Sequence, residues 1–429
     1  MKKFFLSSIA LVALLSSCSD DDGQIVIGNV EDVVDDTPVT GLGSMTTLDD
    51  GSILVEGTFI DEDVTFGNTA EYILDGRVIF GQGSSLTVNP GAIVKGREGT
   101  GSLASSLIIG RGAEILAEGT AAQPIIFTST EDQITLGETE STVAISSSSR
   151  GLWGGVVVLG NAPISAGGNA IAGSEGAEAQ IEGIPDNVTE GAYGGDISDD
   201  NSGILTYVSI RYAGTDISTD NELNGLTLGG VGSGTVIDNI EIFAGFDDGV
   251  EFFGGSVDAS NIIVNGQGDD AIDADQGYSG TISNVLVISN DSNSGFELDG
   301  PEASFLSDSF YTITDATLIG GSNARIAELK SGAAARISNV LALNYTTEEI
   351  QVNGDSAIAN NNSGATVLAD WEIVDTRMAS AIVTSEDSAD VVAAIDSSFL
   401  TVIANEADAA VGADTSVFTW TQSSILGDF

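Results

Sequence analysis

The sequence predicts an all-β fold: a single-stranded parallel β-helix, in which one chain winds into stacked coils. Three observations predict it. Two short strand signals recur together about every 22 to 24 residues, the period of a coil. The composition favours strands, with 54 Gly, only 6 Pro and 42 % hydrophobic residues in 429. Val, Ile and Thr are abundant, whereas Lys, Met and Arg, which favour helix, are scarce. Length is the third. More than 400 residues would ordinarily divide into two or three domains, but a solenoid needs only contact between neighbouring coils.

Taken from the start, Lys2 and Lys3 form a positive region and Phe4 to Leu15 an apolar stretch too short to span a bilayer. Leu15-Ser16-Ser17-Cys18 resembles a bacterial lipobox, in which Cys18 is lipidated and begins the mature chain. A plain secretory signal with an incidental Cys is the alternative. Cys18 is the chain's one cysteine, so no intrachain disulfide can form. Ser19, Asp20, Asp21 and Asp22 follow, a run that resembles the surface-export signal of Bacteroidetes lipoproteins; a solvated tether is the bland reading. No later segment holds 18 apolar residues in a row, so the lipid is the expected anchor. The expected organisation is a signal peptide at 1–17, an acidic tether at 18–64, the β-helix at 65–365 and a C-terminal cap at 366–429.

The repeats begin with Asp238-Asn239-Ile240-Glu241-Ile242 and return at Ser260-Asn261-Ile262-Ile263-Val264, Ser283-Asn284-Val285-Leu286-Val287 and Ser338-Asn339-Val340-Leu341-Ala342. Asp315 partly fills the long gap, and Thr206-Tyr207-Val208 is a degenerate earlier copy. A second series runs in step: Val250-Glu251-Phe252, Ile272-Asp273-Ala274, Phe296-Glu297-Leu298, with weaker copies at Ile326-Ala327-Glu328 and Ile350-Gln351-Val352. Strict alternation puts Ile240, Ile262 and Val285 in one inward column and Val250, Ile272 and Phe296 in another. The Asn residues are expected to stack at a corner and hydrogen-bond along the axis.

In the N-terminal half, the segment 85–94 matches 106–115 at an offset of 21, with Pro90 and Gly110 at corners. Segments 129–150 and 165–203 read as projecting loops. Segment 385–411 has Ala and Leu at helical spacing and is expected to supply helix to the cap.

The run GVGSGTVI (230–237), FDDGVEFFGGSV (246–257), GTAAQPIIFTS (119–129), GLWGGVVVLGNAPI (151–164) and the ending FTWT (418–421) together resemble a family of Bacteroidetes outer-membrane lipoproteins. Its members are often labelled multidrug transporters. The resemblance covers about residues 65–425. It implies a right-handed, pectin-lyase-like β-helix at the cell surface, and carries no activity with it. A transporter reading fails for want of a spanning segment.

The acidic residues are the candidate site. Glu251, Asp273 and Glu297 alternate with apolar neighbours, so they stack on one outward face at rung spacing, ~4.8 Å. Two like charges at ~5 Å repel by about 3 kcal/mol at an effective dielectric of 20. Asp247, Asp248, Asp269 and Asp270 add four carboxylates at the preceding corner, and Asp299 follows Glu297. Hard oxygen ligands suit Ca²⁺, with Asp247, Asp248, Asp269, Asp270 and Asp273 as the metal set. A solvated acidic face and a catalytic cluster stay open beside it. Arg325 and Lys330 are the basic residues nearest the ladder.

With 64 acidic residues against 12 basic, a net charge of −52 excludes nucleic-acid backbones as partners. The absence of His removes His-based triads and His-ligated metals. Three classes remain: a surface binding module for a glycan, a divalent cation or a partner receptor, a Ca²⁺-dependent lyase or glycoside hydrolase, and a purely structural adhesin. Binding ranks first. Trp153, Tyr193, Tyr207, Tyr212, Tyr278 and Tyr311 are the candidate sugar-stacking aromatics.

Overall fold

Short apolar strands separated by Gly, Asn and Asp corners wind into a parallel stack. The computed structural model describes residues 42–429 except 100, 102–103, 142–147, 186–187, 219–220, 290–291, 307–308, 322–323, 346–349, 375–382 and 385–397. The leader, Cys18 and the run from Ser19 to Asp22 lie outside the described residues. Among the described residues the strands form an 11-stranded sheet and a 16-stranded sheet, with two small two-stranded pairs. The 11-stranded sheet is parallel throughout and is here the site sheet; the 16-stranded one is the back sheet.

Each early coil has three strands. One runs through Asp63–Phe66, Tyr72–Leu74 and Arg77–Phe80, and the next through Ser85–Val88, Ile93–Gly96 and Ser106–Ile109. At Gly203–Arg211 the first two strands fuse. This strand pairs with Glu114–Glu118 through its first half and with Ile125–Ser129 through its second. The bend between the halves falls at Tyr207, with φ 51°. Later long strands bend at the same level on Asn239, Asn261, Asn284, Asp315, Asn339 and Asp370, with φ between 54° and 60°. Short polar side chains tolerate this left-handed conformation best. Their side chains also link the coils. Asn261 Nδ2 donates to Asp238 Oδ1 at 2.7 Å, Asn284 Nδ2 to Asn261 Oδ1 at 2.6 Å, and Asn339 Nδ2 to Asp315 Oδ1 at 3.0 Å. The Asn ladder is therefore both a bend and an axial hydrogen-bond chain.

The inward columns are as the alternation predicts. Ile240, Ile262 and Val285 are in register, and the column continues to Ala316, Val340 and Trp371. Val250, Ile272 and Phe296 form the other. All are fully buried, at about 1.5–3 kcal/mol for each large side chain. Inside the coils Phe252, Tyr278 and Tyr311 pack in sequence with their rings tilted, centroids 4.7 and 5.6 Å apart.

Some expectations change. The offset of 21 does not describe the N-terminal register: Ser85 pairs with Glu114 and Asp63, while Ser106 pairs with Arg77. Alternation reports in or out, but it does not say which of three faces a strand joins. Strands begin before residue 65, where Ser44–Thr47 pairs antiparallel with Ile53–Glu56 and closes the first rung. They continue past 366, through Val367–Val374 to Leu400–Ile403. Within 385–411 the described residues, 398–411, hold that strand and a 3₁₀ turn at Glu406–Asp408, while the first part of the segment expected to supply helix, 385–397, lies outside the described residues. The α-helices among the described residues are Asp355–Ser363 and Gln422–Leu426.

The C-terminal segment folds back onto the outer face of the back sheet. Phe418 packs with Ile263, Leu286 and Ile288. Trp420 meets Tyr207 edge-on at 5.5 Å. The anchor is polar: fully buried Glu241 accepts from the backbone N–H groups of Gln422 and Ser423 at 3.0 and 2.9 Å, from Ser423 Oγ at 2.9 Å and from Ser209 Oγ at 2.7 Å. Arg211, 1 % exposed, donates through Nε to the same Ser209 hydroxyl.

Candidate functional site

The outward residues of the site sheet form one straight column. Register places Ile79, Ile108, Val157, Thr227, Glu251, Asp273, Glu297, Glu328 and Gln351 on successive rungs. The apolar end is covered by an excursion between the strands Gly155–Leu159 and Gly203–Arg211. Ile164, Ala179, Ile181, Ile184 and Tyr193 from that excursion bury Ile79, Ile108 and Val157. The column turns acidic at Glu251, where the cover also turns acidic by bringing in Glu182.

The predicted carboxylates converge here. Ligand oxygens of Asp248, Glu251 and Asp273 lie within 4.8 Å of one another, as do those of Asp247, Asp248 and Asp269. The corner pairs meet because consecutive coils turn at the same level. Gly268 makes that approach possible: a Cβ there would collide with the Phe246 carbonyl. Asp270 donates its N–H to Asp248 Oδ1 at 2.8 Å, and Asp248 donates its own to Asn224 Oδ1 at 3.2 Å. Asn224 Nδ2 donates to Glu251 Oε2.

This is not a solvated face. Asp248 and Glu251 are each 7 % exposed and Asp270 is 1 % exposed. Burial, reinforced by neighbouring carboxylates, pushes Asp248, Glu251, Asp273 and Asp275 well above the usual carboxylate range. Asp247 is pushed up to about 8 by burial and then by Asp269, Glu222 and Glu182. Glu182 is raised to about 7 by burial and by Glu222. Asp270 and Asp299 each rise to about 6, chiefly through burial.

The two ends of the ladder differ. Lys330 pairs with Glu297 and lies 3.7 Å from Asp299, and Arg325 pairs with Glu328. The basic residues nearest the ladder therefore neutralise its far end. Among the described residues, Asp247, Asp248, Glu251, Asp269 and Asp273 have no Lys or Arg ion pair.

The sequence reading missed Glu182, Glu222 and Asn224. Glu182 sits in a segment read only as a projecting loop, and nothing local marks it as a roof. The stacking aromatics also fail their expected role: Trp153, Tyr193, Tyr212, Tyr278 and Tyr311 are buried, and Tyr207 packs on Trp420.

No helix among the described residues is long and apolar enough to cross a membrane. No curated protein and no solved structure matched the chain. A family model described as a pectate-lyase-like beta helix domain matches residues 57–425, which takes in the site sheet, the back sheet beyond its first two strands, the acidic column and the C-terminal segment into its last helix. With that span matched, the chain belongs to the pectate-lyase-like β-helix domain family.

Proposed function

We propose that this chain is a lipid-anchored, non-catalytic binding module at the outer face of the outer membrane, and that its acidic column binds Ca²⁺. One observation carries the cation reading. Asp248, Glu251 and Asp273 bring oxygens within 4.8 Å of one another beneath a cover, with no cationic side chain paired to them among the described residues. Two oxygens on one Ca²⁺ can be at most about 4.8 Å apart, twice the usual Ca–O distance. The alternative of a lyase or hydrolase is weaker here. It needs a base free to meet a polymer, whereas Arg325 and Lys330 are committed to Glu328, Glu297 and Asp299. An adhesin without a ligand would have no use for the buried carboxylates.

The test is thermal unfolding in millimolar Ca²⁺ against matched NaCl and chelator. A native-state ligand at a hundredfold excess over Kd adds about 2.7 kcal/mol, so Ca²⁺ should raise Tm. In the Asp270→Asn, Asp273→Asn double variant the rise should largely vanish, and the variant should be more stable than wild type in chelator. If both proteins melt alike in Ca²⁺ and chelator, the cation reading is wrong.

The anchor reading rests on Cys18 and on the run from Ser19 to Asp22. External protease should remove the protein from whole cells. Changing Asp20, Asp21 and Asp22 to Ala should leave it lipidated but protected in the periplasm, and Cys18→Ala should release it from the membrane. A triple variant that stays protease-accessible overturns the export signal.

A further inference from the structure

We infer that the acidic column holds two divalent cations, bridged by the Asp248 carboxylate; this rests on the cation reading above and goes beyond it. Asp248 is the one residue common to both oxygen clusters, Asp247/Asp248/Asp269 and Asp248/Glu251/Asp273. Each cluster meets the reach of a single Ca²⁺, and between them they hold five carboxylates. One divalent ion would leave a charge of −3 in a covered site. Two leave −1, with waters completing coordination.

A second observation points to a ligand independently of the cluster. Asp270 is 1 % exposed, and its carboxylate meets only the Ser294 hydroxyl and backbone N–H, neither at regular hydrogen-bond geometry. Its charge acts on Asp247, Asp248 and Asp273 together, from both clusters. Asp273 Oδ1 is likewise shielded from solvent and unpartnered. Buried carboxylate oxygens are rarely left without donors or a cation. Asp273, whose Oδ1 is one of them, belongs to the sheet cluster itself.

The architecture explains how two sites fit. The corner loops supply Asp247 and Asp269, one coil apart, and the sheet supplies Glu251 and Asp273, again one coil apart. Asp248 stands between corner and sheet. Its backbone N–H is held by Asn224, and one of its oxygens by the Asp270 N–H.

The experiment is Ca²⁺ titration of the purified full chain by calorimetry and equilibrium dialysis, with Tb³⁺ luminescence as a second probe. Wild type should bind two ions. Asp269→Asn should lose only the corner ion and Glu251→Gln only the sheet ion, each leaving one. Asp248→Asn should lose both, or retain one at least tenfold more weakly. Far-ultraviolet circular dichroism in chelator checks that each variant keeps its strands; these changes remove charge at nearly constant volume. A wild-type stoichiometry of one, unchanged in Asp269→Asn, overturns the paired site and leaves the single-cation reading intact. A stoichiometry of zero overturns both.

Discussion

Raising the pH from 5 to 8 in chelator should lower the melting temperature by on the order of 10 °C, against the usual expectation for an acidic protein held together by ion pairs. In the unfolded chain Asp and Glu ionise near pH 4. The native protein keeps protons on Asp270 and Asp299 to about pH 6, on Glu182 to about pH 7 and on Asp247 to about pH 8. Between these limits the native state binds more protons than the unfolded state, so stability falls as pH rises. Asp270 and Asp299 alone, each shifted by about two units from 3.8, lose about 3 kcal/mol apiece between pH 4 and 6. The loss continues to pH 8 through Asp247 and Glu182. Saturating Ca²⁺ should flatten or reverse the slope, because ligating carboxylates must be deprotonated. Calorimetric scans at pH 5, 6, 7 and 8, with and without Ca²⁺, read the difference. A melting temperature that rises with pH in chelator would contradict the buried, proton-holding site.

Glu241→Ala should be the most damaging single change on the opposite face. Four donors converge on this buried carboxylate, two of them the first N–H groups of the last helix. Removing it leaves those donors unsatisfied and weakens the surroundings of buried Arg211, a loss of about 3–5 kcal/mol. The segment 414–429 should detach first. Trp420, now 5 % exposed, would enter water, red-shifting its emission, and trypsin-independent proteases should trim the C-terminus before the coils. Glu241→Gln, which keeps the shape and one acceptor oxygen, should lose less. Unchanged trimming and emission in Glu241→Ala would mean that Phe418 and its apolar contacts hold the segment unaided.

The legible parts of this molecule are those that a period-2 pattern controls. The in-register columns of Ile240 and Val250, the bends at Asn239, Asn261, Asn284 and Asn339, and the outward direction of Glu251 and Asp273 all follow from alternation and from residue types that tolerate positive φ. The meeting of Asp248 with Glu251 and Asp273 was legible in outline, because equal coil lengths bring equal corners together. Depth was not. Whether Glu251 is solvated depends on the excursion that carries Glu182, and loop composition does not encode where a loop lands. The same applies to Glu241. Its position between Ile240 and Ile242 reads as one more outward acid, and its partners lie about 180 residues later in sequence. The N-terminal register failed because coils there differ in length, with Asp63 to Ser85 shorter than Ser85 to Glu114.

The column that runs from Ile79 to Gln351 also bears on how such a protein can vary. Within the site sheet each strand pairs only with the strands before and after it, and each of the coils around the site adds one outward residue and one corner. Duplication or loss of a whole 22-residue unit would therefore lengthen or shorten the charged row by one step and keep every other side chain on its own face. Insertion of a single residue within a strand would instead reverse that strand, sending an acid into the interior and an aliphatic residue out. Variation by whole modules is the kind this architecture tolerates, and the number of carboxylates in the row becomes a quantity that can be dosed without redesigning the fold.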